Sequence, residues 1–118
     1  MKLVIAGSRD FEDYELLKRF CLIYRDKITE IVSGCARGAD LMGEKYAKEI
    51  GIPVKRFPAN WNKYGKSAGM IRNKEMMQYG DHLIAFWDSE SRGTAHIIGL
   101  ARDSEKEFDV IHYKNIIK

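Results

Sequence analysis

The sequence has few of the residues that mark a specialised chain. Of 118 residues, two are cysteines, Cys21 and Cys35, and two are prolines, Pro53 and Pro58. Two thiols are too few for a disulfide scaffold, and they show no metal-ligand spacing. A reducing compartment, and with it a cytoplasmic location, is the simplest reading. Apolar runs reach only about six residues, against the roughly 20 that a membrane-spanning helix needs. The first residues enter a strand pattern at once, without the charged and apolar regions of a secretory leader. Excess charge is also scarce: 20 basic and 17 acidic residues give a formal +3. That is too little for a dedicated DNA-binding domain, yet it leaves room for a nucleotide-sized anion. Neither membrane contact nor a metal or other cofactor is expected.

What is present is 45% hydrophobic and 31% charged residues, the balance of a globular chain, over a length that suits one domain, 1–118. Leu3, Val4, Ile5 and Ala6 form a continuous apolar run, as expected of a strand buried on both faces. Residues 28–33 and 82–87 read as two more strands and residues 108–113 as the last. Residues 53–58 alternate apolar and basic side chains between two prolines, the pattern of an edge strand. Leu16, Leu17, Phe20, Ile23 and Tyr24 recur at helical spacing, with Asp10 or Asp13 as the cap. Helices are expected over 38–50, closed by Gly51, and over 70–79, closed by Gly80. Thr94, Ile97, Ile98 and Ala101 mark a fourth helical stripe. Residues 59–69 read as a long irregular loop, and a short basic tail ends the chain. Alternating strands and helices predict an α/β, Rossmann-like three-layer sandwich with a mostly parallel five-stranded sheet.

Such sheets hold ligands outside the carboxyl ends of their strands. Four turns belong there, each with an arginine close to a glycine: Gly7-Ser8-Arg9-Asp10; Ser33-Gly34-Cys35-Ala36-Arg37-Gly38-Ala39-Asp40; Gly69-Met70-Ile71-Arg72-Asn73; and Trp87-Asp88-Ser89-Glu90-Ser91-Arg92-Gly93-Thr94. Gly34 and Gly38 are expected to supply positive φ. Small residues ahead of a helix leave its first N–H groups open to an anion. Arg9, Arg37, Arg72 and Arg92 are expected to converge, with phosphate against the N–H groups. Asp10, Asp40 and Asp88 would pair with those arginines or accept from ribose hydroxyls. The structural alternatives are a tight turn without a ligand and a ring of internal salt bridges. Trp61 and Tyr64, in the polar loop, are candidates for stacking on a base or for anchoring the loop.

Together these motifs resemble the YspA-like family of the SLOG superfamily, common in bacteria and phages and related to the LOG phosphoribohydrolases and the DNA-processing protein DprA. The likeness rests on Ala6-Gly7-Ser8-Arg9-Asp10-Phe11, on Ser33-Gly34 with Ala36-Arg37-Gly38-Ala39-Asp40, on Ala68-Gly69 with Ile71-Arg72-Asn73, and on Ala85-Phe86-Trp87-Asp88 with Ser91-Arg92-Gly93-Thr94. It extends over nearly the whole chain and implies a site for a nucleotide or nucleotide-derived ligand. LOG enzymes carry Pro-Gly-Gly-x-Gly-Thr-x-x-Glu. Gly93-Thr94 would align with its Gly-Thr, but the glutamate position then falls on Ile97, and the Pro-Gly-Gly is absent. Cys35 stands where relatives often have Gly. The resemblance also implies a homodimer through helices, although no exposed apolar stripe can be named for it.

Three functions follow. The first is a sensor or sequestering module for a nucleotide-like small molecule: a nucleotide, an ADP-ribose-like molecule or a nucleotide signal. The second is a hydrolase of an N-glycosidic or phosphate bond, with Asp40, Asp88 or Glu90 as acid or base. The third, carried only by DprA kinship and the basic aromatic loop, is binding of single-stranded nucleic acid.

Overall fold

A computed structural model describes residues 1–115; the end of the expected basic tail, residues 116–118, lies outside the described residues. The strands are β1 (Lys2–Gly7), β2 (Glu30–Ser33), β3 (Val54–Arg56), β4 (His82–Trp87) and β5 (Glu107–His112). They form one sheet in the order β3-β2-β1-β4-β5, and every pairing is parallel. Between them run α1 (Tyr14–Leu22), α2 (Ala39–Ile50), the short α3 (Trp61–Tyr64), α4 (Ala68–Tyr79) and α5 (Arg92–Asp103).

The continuous apolar runs serve two cores, because successive strand residues point to opposite faces of a sheet. Leu3, Ile5, Ile31, Ile84 and Phe86 pack with Leu16, Leu17 and Cys21 of α1 and with Tyr46 and Ala47 of α2. Val4, Ala6, Val32, Leu83 and Ala85 turn the other way, onto Met76 and Met77 of α4 and Ile97 and Ala101 of α5. The result is the three-layer, Rossmann-like arrangement that the alternation implies. Each fully buried Leu, Ile or Phe contributes roughly 1.5–3 kcal/mol, which makes β1 and β4 the spine of the fold.

Residues 59–69 are not irregular. Asn60 caps α3 by accepting the N–H of Lys63 on Oδ1 at 3.1 Å. A 3-10 turn at Gly65–Ser67 follows and leads directly into α4. At the start of α1 the cap is Asp13, whose Oδ1 accepts the N–H of Leu16 at 3.1 Å; Asp10 is engaged elsewhere. Gly51 ends α2 in the left-handed conformation, φ 73°.

From β1 the chain builds outward to β2 and β3, then crosses to β4 on the opposite side of β1. Strand order therefore reverses between β1 and β4, which pair from Leu3–His82 to Gly7–Phe86. The crevice beyond Gly7 and Trp87 is where this class of sheet can hold a ligand.

Candidate functional site

At the end of β1 a side chain on Gly7 would collide with the Phe86 carbonyl and with Ala39. Glycine lets β1, β4 and the start of α2 meet there. Ser8 is buried; its N–H donates to the Phe86 carbonyl at 2.9 Å, and its hydroxyl accepts the N–H of Asp88 at 3.1 Å. Phe11 pins the far end of the turn, fully buried and stacked on Phe86 with ring centres 4.6 Å apart.

In the second turn positive φ falls on Cys35 (67°) and Gly38 (89°), not on Gly34. Gly34 is small for a different reason: a Cβ there would lie 2.7 Å from Asp40 Oδ2 and 2.9 Å from Arg72 Nη1. A Cβ on Gly38 would lie 2.5 Å from the Ser8 carbonyl oxygen, so the first two turns touch backbone to backbone. Cys35 donates its N–H to Ser33 Oγ at 3.0 Å, and Ser33 in turn donates to Glu44 at 2.6 Å.

Arg72 and Asn73 tie α4 to both neighbouring turns. Arg72 donates from Nη1 to the Gly34 carbonyl and from Nε to Asn73 Oδ1. The Asn73 amide donates to the Gly93 carbonyl at 3.2 Å and lies 3.2 Å from His96 Nδ1. Burial lowers the His96 pKa, which keeps that ring neutral and able to accept.

The fourth turn is held by its own residues. Asp88 Oδ1 accepts the N–H groups of Glu90 and Ser91, and Trp87 donates from its indole to the Ser91 carbonyl at 3.0 Å. Thr94 donates to Ser91 Oγ at 3.2 Å. Neither Gly38 nor Ser91 caps its helix with a side chain, in contrast to Asp13 and Asn60. The helices α2 and α5, at the crevice, thus keep their first N–H groups open.

These turns enclose a cavity of about 440 Å³. The first turn supplies Gly7, Ser8, Arg9 and Asp10; the second, Ala36, Arg37 and Asp40; α4, Arg72 and Asn73; the fourth, Asp88, Ser91, Gly93 and Thr94. Ser33, Gly34, Gly38 and Trp87 shape the turns without lining the cavity. Glu90 and Arg92 are exposed and outside it, so three of the four arginines converge rather than four. Sequence reasoning missed Ala6, Met76 and Ile97, which line it with apolar surface. Ala6 heads the first motif and Ile97 falls at the position of the LOG glutamate, yet both read as buried apolar positions, and Met76 carried no site signal in the sequence.

A second hollow, of about 520 Å³, adjoins the first and shares Arg9, Ala36, Arg37 and Arg72 with it. Gly34, Cys35, Pro58, Ala59 and Trp61 complete its lining. Trp61 is 53% exposed. Tyr64 lines neither hollow, and the Lys63 ammonium lies 5.1 Å from its ring centre.

A salt-bridge ring is not what holds these loops. Among the described residues, Arg9 and Arg37 have no hydrogen-bond or ion-pair partner. Asp10 instead accepts from Tyr113 at 2.5 Å and pairs with Lys114 at 3.0 Å, contacts that hold its carboxyl below the usual range. The Ser91 and Glu90 N–H groups lower the pKa of Asp88. Asp40 differs: burial pushes its carboxyl up to about 6, against the opposing pull of Arg72 and of the Ala36 N–H. Among the described residues no group of three or more His, Cys, Asp and Glu could hold a metal ion, and no helix is long and apolar enough to cross a membrane.

Fold and crevice together define an α/β, Rossmann-like domain with an anion-suited cavity at its strand-order reversal. The model of the YspA, cpYpsA-related SLOG family matches residues 1–64, more than half of the chain, and the protein belongs to that family. The match carries the first two turns; Arg72, Asn73 and the fourth turn lie beyond it. Gene 61 protein of Mycobacterium phage D29 is 34% identical over 82 residues, 64% of this chain and 63% of that relative's length. No solved structure matches.

Proposed function

We propose that this domain binds a nucleotide or nucleotide-derived ligand at the strand-order reversal, as a cytoplasmic sensor or sequestering module. The observation that carries the reading is the pairing of two helix N-termini without side-chain caps with the guanidiniums of Arg9 and Arg37, which have no partner among the described residues, around one cavity. Phosphate oxygens would accept from the first N–H groups of α2 and α5, while Arg9 and Arg37 add charge. Ser8, Asn73 and Thr94 supply polar contacts, and 440 Å³ falls within the range of small-molecule sites. Membership of a SLOG family supports a nucleotide-related ligand.

One observation favours a hydrolase as the second reading. Asp40 lines the cavity with a pKa raised to about 6, the range in which a carboxyl can exchange a proton. Asp88 is held ionised by its own turn, and Glu90 lies outside the cavity. Ile97, at the position aligned with the LOG glutamate, is buried and apolar.

Thermal-shift screening against nucleotides tests the binding reading. A ligand at ~100 times its Kd stabilises the fold by roughly 2.7 kcal/mol. A panel without any shift would reject it. Release of base or phosphate during incubation, abolished by Asp40→Asn, would establish the second reading over the first.

A further inference from the structure

The two hollows meet at the same arginines, and this constrains the shape of what binds; the inference rests on the nucleotide reading above. Arg9, Arg37 and Arg72 line both hollows. Arg72 is committed to the Gly34 carbonyl and to Asn73. Arg9 and Arg37 are exposed and, among the described residues, without partners. The carboxylates of the rim do not neutralise them. Asp10 holds Tyr113 and Lys114, Asp88 holds two backbone N–H groups, and Asp40 accepts from Ala36. Uncompensated positive charge is therefore concentrated on the boundary between the hollows.

An anionic group at that boundary has space on both sides. On one side the cavity of about 440 Å³ is larger than a phosphate group requires and has an apolar patch of Ala6, Met76 and Ile97. On the other side stands Trp61, 53% exposed, its ring edge close to Gly69, where a Cβ would lie 3.5 Å from it. A tryptophan this exposed gains little from the core but offers a flat face for a base.

We propose that the ligand is a two-part nucleotide bridged by a diphosphate. The diphosphate crosses between Arg9 and Arg37, one base stacks on Trp61, and a sugar or second nucleoside occupies the deeper cavity. Removing the Trp61 ring costs about tenfold in affinity for such a ligand, the scale of one base–aromatic stack.

Calorimetric titration of the full chain tests this with three series: AMP, ADP and diadenosine diphosphate; GMP, GDP and GDP-mannose; UMP, UDP and UDP-glucose. In at least one series the bridged compound binds ten or more times tighter than its monophosphate. Trp61→Ala lowers that affinity about tenfold, Trp61→Phe restores most of it, and neither changes affinity for inorganic pyrophosphate. Equal affinity for monophosphate and bridged compound, or an unaltered Trp61→Ala, overturns this inference and leaves the nucleotide reading standing. No binding in any series overturns both. Tighter binding of decathymidylate than of every bridged compound overturns it in favour of single-stranded nucleic acid.

Discussion

The Arg72 guanidinium donates to the carbonyl of Gly34, 38 positions earlier in the chain, and a Cβ on that glycine would lie 2.9 Å from the same nitrogen. The contact closes the gap between α4 and the turn after β2. Asp40 Oδ2 borders the same spot, 2.7 Å from where the Cβ would be.

Two glycines of this turn are therefore expected to respond differently to alanine. At Gly34 the obstacles are the side chains of Asp40 and Arg72, which can shift slightly at the expense of the Arg72 contact with the Gly34 carbonyl. Gly34→Ala costs about 1–2 kcal/mol, the lower range for overpacking. At Gly38 the obstacle is the Ser8 carbonyl, and φ 89° with ψ −129° is a conformation that alanine avoids. Gly38→Ala is the more destabilising of the two, by about 1–3 kcal/mol. Urea denaturation of both variants checks the order.

Asp40 makes stability depend on pH. Its folded pKa of about 6 lies above the ordinary 3.8, so between these values the folded chain binds more protons than the unfolded one. The stability from the protonated form is fully present below pH 3.8 and is lost as pH rises through about 6. The shift of about two units corresponds to about 3 kcal/mol. Asp40→Asn cannot ionise, so its stability relative to the parent chain should rise by about that amount between pH 4 and pH 7. Denaturation midpoints across this range test it. A constant difference would mean that Asp40 ionises as freely in the folded state as in the unfolded one.

Lys106 stabilises a helix end that has no side-chain cap of its own. Its ammonium donates to the carbonyls of Met77, Gln78 and Gly80, at the end of α4. Lys106→Met removes a charge-assisted contact with the negative helix terminus and is expected to cost about 1–2 kcal/mol. Faster amide exchange in the last turn of α4, with the rest of the sheet unchanged, would locate the effect.

Much of this architecture is legible in the sequence because β1 and β4 are uninterrupted apolar runs, and only a sheet covered on both faces requires that. The turns are legible for a related reason: glycine beside arginine, ahead of a helical stripe, has few structural uses. Two things escaped. The lead-in through α3 is only four residues long, too short for a periodicity to register, although Asn60 was present as a cap signal. The commitments of Asp10 and Arg92 depend on tertiary placement. Tyr113 and Lys114 reach Asp10 from the other end of the chain, while Arg92 begins α5 outside the cavity.

The most direct measurement compares Arg9→Ala, Arg37→Ala and Arg92→Ala in thermal-shift titration against the best nucleotide of the panel. All three arginines are exposed, so each variant should keep the parent melting temperature without ligand. The account predicts that Arg9→Ala and Arg37→Ala each lose at least tenfold in affinity, the scale of a charge-assisted hydrogen bond, while Arg92→Ala stays near the parent value. Full affinity in both Arg9→Ala and Arg37→Ala would contradict it.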